Sequence, residues 1–528
     1  MTEGKYLGRV VGGSLSKGLD VRLEAPLEEV RAGRLVAIQG DRSRFLGFVA
    51  DVSLASLSPQ LAGAAPPSDP FLAQVLAGTA YYGQARVVPR LTISSTSAML
   101  DGPQPATSIP AHFSPVHEAS QPDVELAYGK EDEKSFVVGS PLDMEVNVCL
   151  DAPLFVQRSN GIFGKTGSGK TFFTRLLLIN LIQKGKAVNL VFDMHSEYGW
   201  GRPTESGVEA KGLKQTAVGS RVAVFALDEE SARRRRISPD HVVRIGYEQI
   251  EPEDISLLRQ TLNLRELAIE AVYTLDKRYG KGWIAKTASL SEEEIKALGI
   301  HEMTYDNLRR GLDKLRRLPF LVEKTEEDSV QRILGCLQGG MNVVLDFGRH
   351  QDTMAYVLVA NVLTRRLHEV YQDLTDKAQA EGASGPRPLV ITIEEAHRFL
   401  SPEVAGQTIF GTIAREMRKY NVTLLVVDQR PSGIDPEVLS QLGTRVIFPL
   451  DDERDIESAL AGAPDRGELR TVLARLPTKR HALILGHAVP MPLAIQVEDV
   501  TSRPFLERHA VGPREGGSRP KIDDLFPE

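Results

Sequence analysis

Apolar positions in the first part of the chain come as short alternating runs: KYLGRVVGG, LDVRLEA, RLVAIQG, RFLGFVADV and ARVVPRLTI. Alternation with a period of two marks strands with one buried face, and the Gly, Pro and Ser clusters between the runs mark turns. Residues 1–115 therefore read as a small β-barrel or sandwich. Within and after them, SPQLAGAAPPSDP reads as a loop and LDGPQPATSIPAHFSP as an exit linker.

From about residue 136 the pattern changes to continuous apolar runs separated by helical spacing. The runs are VNLVFDMH, VAVFAL, MNVVLDFG, LVITIEE, TLLVVDQRP and RVIFPL. Runs of this kind, buried on both faces and joined by helices, predict a mostly parallel sheet in an α/β core. Between Glu251 and Gln338 the strands stop, and DISLLRQTLNLRELAIEAVYTLDKRYG and TYDNLRRGLDKLRRLPFLVEK carry helical spacing. The expected organisation is a barrel over 1–115, a core in two parts over 136–250 and 339–500, and an all-α insertion over 251–338. The Gly/Pro-rich tail, 501–528, is expected to be extended.

Composition narrows the class. The 528 residues are 42% apolar and 25% charged, which excludes disordered and fibrous chains. No apolar run reaches the ~18 residues that a membrane span needs, and the start MTEGKYLGRVVGG lacks the apolar stretch of a signal peptide. Two cysteines, Cys149 and Cys336, make no disulfide framework or metal site. A cytoplasmic protein with reduced thiols is expected. The net charge of −7 argues against a globally basic nucleic-acid coat, though a local basic channel survives such averaging.

Chemistry enters at Gly164-Lys165-Thr166-Gly167-Ser168-Gly169-Lys170-Thr171, a full match to G-x-x-x-x-G-K-[ST]. Glycines let successive N–H groups turn toward phosphate oxygens, and the helix expected over FFTRLLLINLIQ offers its positive end to the same anion. Lys170 is suited to the β- and γ-phosphates of ATP and the Thr171 hydroxyl to Mg²⁺. In VITIEEAHRF a strand runs into two acids. In a P-loop protein such a strand end supplies one carboxylate to the Mg²⁺ shell and another to polarise water, roles that suit Glu394 and Glu395 respectively. Glu394 is one methylene longer than the Asp more usual there, so contact through a metal-bound water is expected. The plainer alternative is an exposed acidic strand end.

Taken together, GKTGSGKT, DMHSEY (193–198), EEAHRF (394–399), AREMRKY (414–420) and VVDQRPSGID (426–435) resemble the HerA family of ring-forming ATPases, within the wider group of FtsK-type DNA translocases. The resemblance covers nearly the whole chain and implies a RecA-like core with an N-terminal HAS-type barrel. It implies that Glu395 is the base for water and that Gln429 is a polar sensor beside the γ-phosphate. It implies that Arg418, or else Arg415, is a finger given to the neighbouring subunit's ATP. Asp193, His195 and Glu197 match the family's D-x-H-x-E-Y pattern, either as part of the nucleotide site or as a satisfied structural network. His397 reads as a packing or hydrogen-bonding residue. The run Arg233-Arg234-Arg235-Arg236 is either a DNA contact or a solvated face.

The function implied is a homohexameric ATP-driven translocase or helicase on duplex DNA, working with a NurA-type nuclease in DNA end processing. A different class is an ATP-gated ring that assembles and activates an effector, a nuclease or a sirtuin-like enzyme, in antiphage defence. In either case the barrel would be the docking face, and the tail could strap across a neighbouring subunit. A small-molecule kinase or GTPase fits poorly, because no N-K-x-D motif follows and the barrel would be unexplained.

Overall fold

The computed structural model of the chain describes residues 4–57, 69–94, 102–203, 209–350, 352–403, 405, 408–500 and 505. Most of the loop SPQLAGAAPPSDP and nearly all of the tail 501–528 lie outside the described residues. The chain gathers into two units, and each unit takes segments distant in sequence.

The first unit comprises Met1–Phe155, Ile162–Phe173 and Gly443–Asp499. It opens with an antiparallel barrel in the order Gly18–Leu23, Tyr6–Ser14, Pro115–Glu118, Leu35–Gln39, Ser43–Ser56, Tyr81–Ser94, and pairing of the last with the first closes it. Alternation places Leu7, Val10, Leu19, Val21, Val36, Ile38, Phe45, Val49, Val87 and Val116 in one core. Strand Pro115–Glu118, seated between Tyr6–Ser14 and Leu35–Gln39, follows directly on the segment expected to be the exit linker. Helix Pro70–Thr79 was not anticipated; Asp69 caps it by accepting the Phe71 N–H.

The same unit holds an antiparallel series formed by Thr444–Ile447, His481–Gly486, Leu493–Val497, Ser135–Pro141 and Val148–Asp151. Only the first of these was expected as a strand, so the mostly parallel sheet predicted from sequence holds for the other unit and not for this one. The missed strands are short and lie next to Pro and Gly, which weakens a periodic signal.

Edged by the two-residue strand His241–Val242, the second unit holds five buried parallel strands in the order Val222–Ala226, Asn342–Asp346, Val188–Asp193, Leu389–Glu394, Val422–Asp428. Every residue in them is buried, as continuous apolar runs require. The 29-residue helix Thr353–Glu381 covers one connection, capped by Asp352 and ended by Gly382 at φ 63. Residues 252–338 fold mainly as helices, with Ala268, Val272 and Leu275 of Glu266–Tyr279 and Leu308, Leu312 and Leu315 of Glu302–Leu315 buried at helical spacing. The strands do not stop altogether: Leu321–Val322 pairs in parallel with Ile245–Gly246. Among the described residues no helix is long and apolar enough to cross a membrane.

Candidate functional site

The buried strand Asn160–Phe163 runs into the phosphate loop, whose residues 164–171 belong to the first unit, and helix Lys170–Lys184 leaves it. Gly164 sits at φ 153, and a Cβ there would lie 2.5 Å from the Phe448 Cβ. Gly167 sits at φ 74 over open space, so it serves the turn and not a close approach. The Ser168 hydroxyl donates to the Lys165 carbonyl at 2.7 Å, which closes the loop on itself. Neighbouring segments hold it from outside: the Lys165 N–H donates to the Pro449 carbonyl and the Arg480 N–H to the Ser168 carbonyl. The Lys165 ammonium pairs with Asp451 at 2.8 Å. Lys170 turns its ammonium back over the loop, donating to the carbonyls of Gly164 and Lys165. Thr166 and Gly167 are exposed, while Gly169 and Thr171 are half-buried. The result is a backbone cradle with a lysine above it and no acid in the first helical turn, a constellation suited to polyphosphate.

In the second unit, four of the five parallel strands end in acids. Asp193 and Asp346 are register partners, Glu394 ends the next strand, and Asp428 the one beyond. Asp193 is buried and accepts the N–H groups of Glu197, Tyr198 and Gly199 at 2.7, 2.9 and 3.2 Å. It therefore caps its own turn, in which Ser196 adopts φ 56. Burial, and then the Asp346 charge, push the Asp193 carboxyl up to about 6. Asp346 accepts the Ser196 hydroxyl at 2.6 Å and the Arg235 guanidinium at 2.7 Å. His195 and Glu197 are half-buried, and Arg175 donates to the Glu197 main-chain carbonyl.

Glu394 is only 6% exposed. The Tyr198 hydroxyl donates to its Oε1 at 2.7 Å, whereas its buried Oε2 has no hydrogen-bond partner among the described residues. Burial, followed by the Asp193 charge, pushes the Glu394 carboxyl up to about 8. Glu395 differs in backbone and in partners. Its φ is 49, a left-handed conformation that non-glycine residues seldom adopt. Its Oε1 accepts from the Gln429 side-chain amide at 3.0 Å, and its Oε2 lies 3.8 Å from His397 Nδ1. The His397 ring also meets Asp428 at 2.9 Å, which raises the imidazole above its ordinary range. Neither acid is an exposed strand end.

Arg418 is exposed on the turn Met417–Tyr420 and makes no ion pair among the described residues. Arg415 is 3.7 Å from Glu437. The four-arginine run divides: Arg233 and Arg234 pair with Glu229 and Glu230 one turn away, Arg235 turns inward to Asp346, and Arg236 ends the helix at φ 55. Sequence reasoning assigned nothing to Tyr198, Asp346 or Asp428. A signal was present, since VFD, VLD, TIEE and VVD all end strands in acids.

A phosphate loop opening a helix, parallel strands ending in acids and a closed antiparallel barrel define a P-loop ATPase of the RecA-like class carrying an N-terminal barrel domain. Residues 136–367 match the family described as "Helicase HerA, central domain", and residues 7–74 match the HAS barrel domain. Over these two segments the chain resembles HerA helicases. The DNA double-strand break repair helicase HerA of Saccharolobus solfataricus is 23% identical over 518 residues, covering 93% of this chain and 92% of that one. That of Sulfolobus acidocaldarius is 25% identical, covering 93% of each chain, and that of Pyrococcus furiosus is 23% identical, covering 72% of each. Among solved structures, VirB4 of Thermoanaerobacter pseudethanolicus superposes with a TM-score of 0.45 at 14% identity, over 70% of this chain and 98% of that one.

Proposed function

We propose that this ATPase is a homohexameric motor that moves along or unwinds duplex DNA and works with a NurA-type nuclease in end processing. The observation that carries the reading is collinearity over 93% of the chain with a relative named as a DNA double-strand break repair helicase, in a chain with a complete phosphate loop. Lys170 and the loop from Gly164 to Thr171 hold the triphosphate, and Glu395 draws the proton from the attacking water. Its contact with Gln429 supports that assignment, because the pair joins the expected base to the expected sensor. Arg418, exposed and without an acidic partner among the described residues, is the better candidate than Arg415 for a finger acting on the neighbouring subunit.

Mg²⁺ in such sites takes one or two protein donors besides phosphate oxygens and water, and Thr171 and Glu394 each offer an oxygen of the kind it takes. The unpartnered buried oxygen of Glu394 supports a donor role, and the ion when bound offsets charge on the transferring phosphoryl group. The Asp193 turn, with His195 and Glu197, supports Glu394 through Tyr198. We assign the nuclease to the barrel, where Leu54 and Phe71 are 82% and 74% exposed.

ATPase activity with and without linear duplex DNA, at two salt concentrations and with particle mass from the same samples, tests the reading. A hexamer-sized particle whose turnover rises with DNA and loses that rise with salt is expected. A ring indifferent to DNA would overturn the motor in favour of the effector platform.

A further inference from the structure

The geometry at two adjacent strand ends points to a residue that nothing above gives a part in the reaction. Asp428 closes strand Val422–Asp428, and its side chain is 0% exposed. Its Oδ2 accepts the main-chain N–H of His397 at 2.7 Å and the His397 ring at 2.9 Å. Its Oδ1 accepts the main-chain N–H of Arg430 at 2.7 Å. One carboxylate thus holds the backbone of two separate turns. The turn ending at His397 contains the left-handed Glu395, and the turn ending at Arg430 contains Gln429. The two side chains so placed meet at 3.0 Å.

We propose that Asp428 is a positioning residue for hydrolysis: a buried clasp, completed by His397, that sets Glu395 against Gln429. The proposal rests on the reading of Glu395 as the base for water. A left-handed conformation at a glutamate persists only where its surroundings impose it. Charge-assisted bonds from a buried carboxylate to main-chain N–H groups on either side are the means of imposing it here. An amide at the same place keeps one acceptor and turns an NH₂ toward a donor, so Asp428→Asn keeps the volume and breaks the clasp. Glu395 would then leave its aim on water while the phosphate loop, which lies elsewhere in the chain, keeps its hold on nucleotide.

The test compares wild type, Asp428→Asn, Glu395→Gln and the double variant in the full chain, by steady-state turnover and by affinity for a fluorescent ATP analogue. Asp428→Asn is expected to lower kcat at least tenfold with KM and analogue affinity unchanged, and the double variant to be no slower than Glu395→Gln alone. A parallel loss of kcat, analogue affinity and melting temperature would mean a merely structural role and overturn the clasp. So would near-wild-type turnover in Asp428→Asn beside an inactive Glu395→Gln. Turnover surviving in Glu395→Gln would instead overturn the reading beneath it. Should Asp428→Asn fail to fold, His397→Leu, which removes only the ring's part of the clasp, must lower kcat several-fold at constant KM; an unchanged kcat there overturns the proposal.

Discussion

Glu394 and Glu395 are neighbours in sequence with opposite surroundings. A carboxyl held near 8 keeps its proton in the folded chain over a range where the unfolded chain has lost it, starting from 4.5. Between these limits the folded state binds more protons, so stability falls as pH rises, by about 1.4 kcal/mol per pH unit for one such group. Asp193 adds the same sign between 3.8 and about 6. Glu394→Gln, which has no proton to hold, is therefore expected to melt above wild type at pH 8 without nucleotide, with the gap closing toward pH 4.5. Equal melting curves across that range would mean that the Glu394 carboxylate is already ionised in the folded chain. Glu395 is left-handed, half-buried and partnered by Gln429.

At the scale of elements, the run of four arginines shows how a charge pattern resolves on a helix. Two of them pair one turn back and a third reaches a buried acid, so the run as a whole is not a basic patch. Arg233→Ala with Arg234→Ala is expected to leave the melting temperature and DNA stimulation of turnover unaltered; lost stimulation would restore a phosphate contact. The phosphate loop was legible because each position answers a separate demand: conformation at Gly164 and Gly167, closure at Ser168, charge at Lys170. The parallel strands were legible because burial on both faces leaves unbroken apolar runs. His481–Gly486 was not, although it is as long as Val188–Asp193, because Pro477, Gly486 and Pro490 around it read as a loop. The acids that tie strand ends together, Asp346 and Asp428, were in plain view in the sequence. Their partners, Ser196, Arg235 and His397, are distant along the chain, and only folding brings them together.

At the scale of the whole molecule, a guanidinium acting across a subunit boundary, as proposed for Arg418, would make each active site depend on two chains. Arg418→Ala subunits mixed with wild type are expected to depress turnover below the fraction of wild-type chains present; strictly proportional loss would remove the finger. The division of the chain into its two units has one more consequence, and it concerns synthesis. The phosphate loop at 164–171 is held by Phe448, Pro449 and Arg480, and its unit is not complete until Gly443–Asp499 has been made. A chain growing from its N-terminus can close the barrel early, but the loop at 164–171 gains its outside neighbours only once residues 448–480 have been made. The strand-end acids Asp193, Asp346, Glu394 and Asp428 are all translated before those neighbours exist.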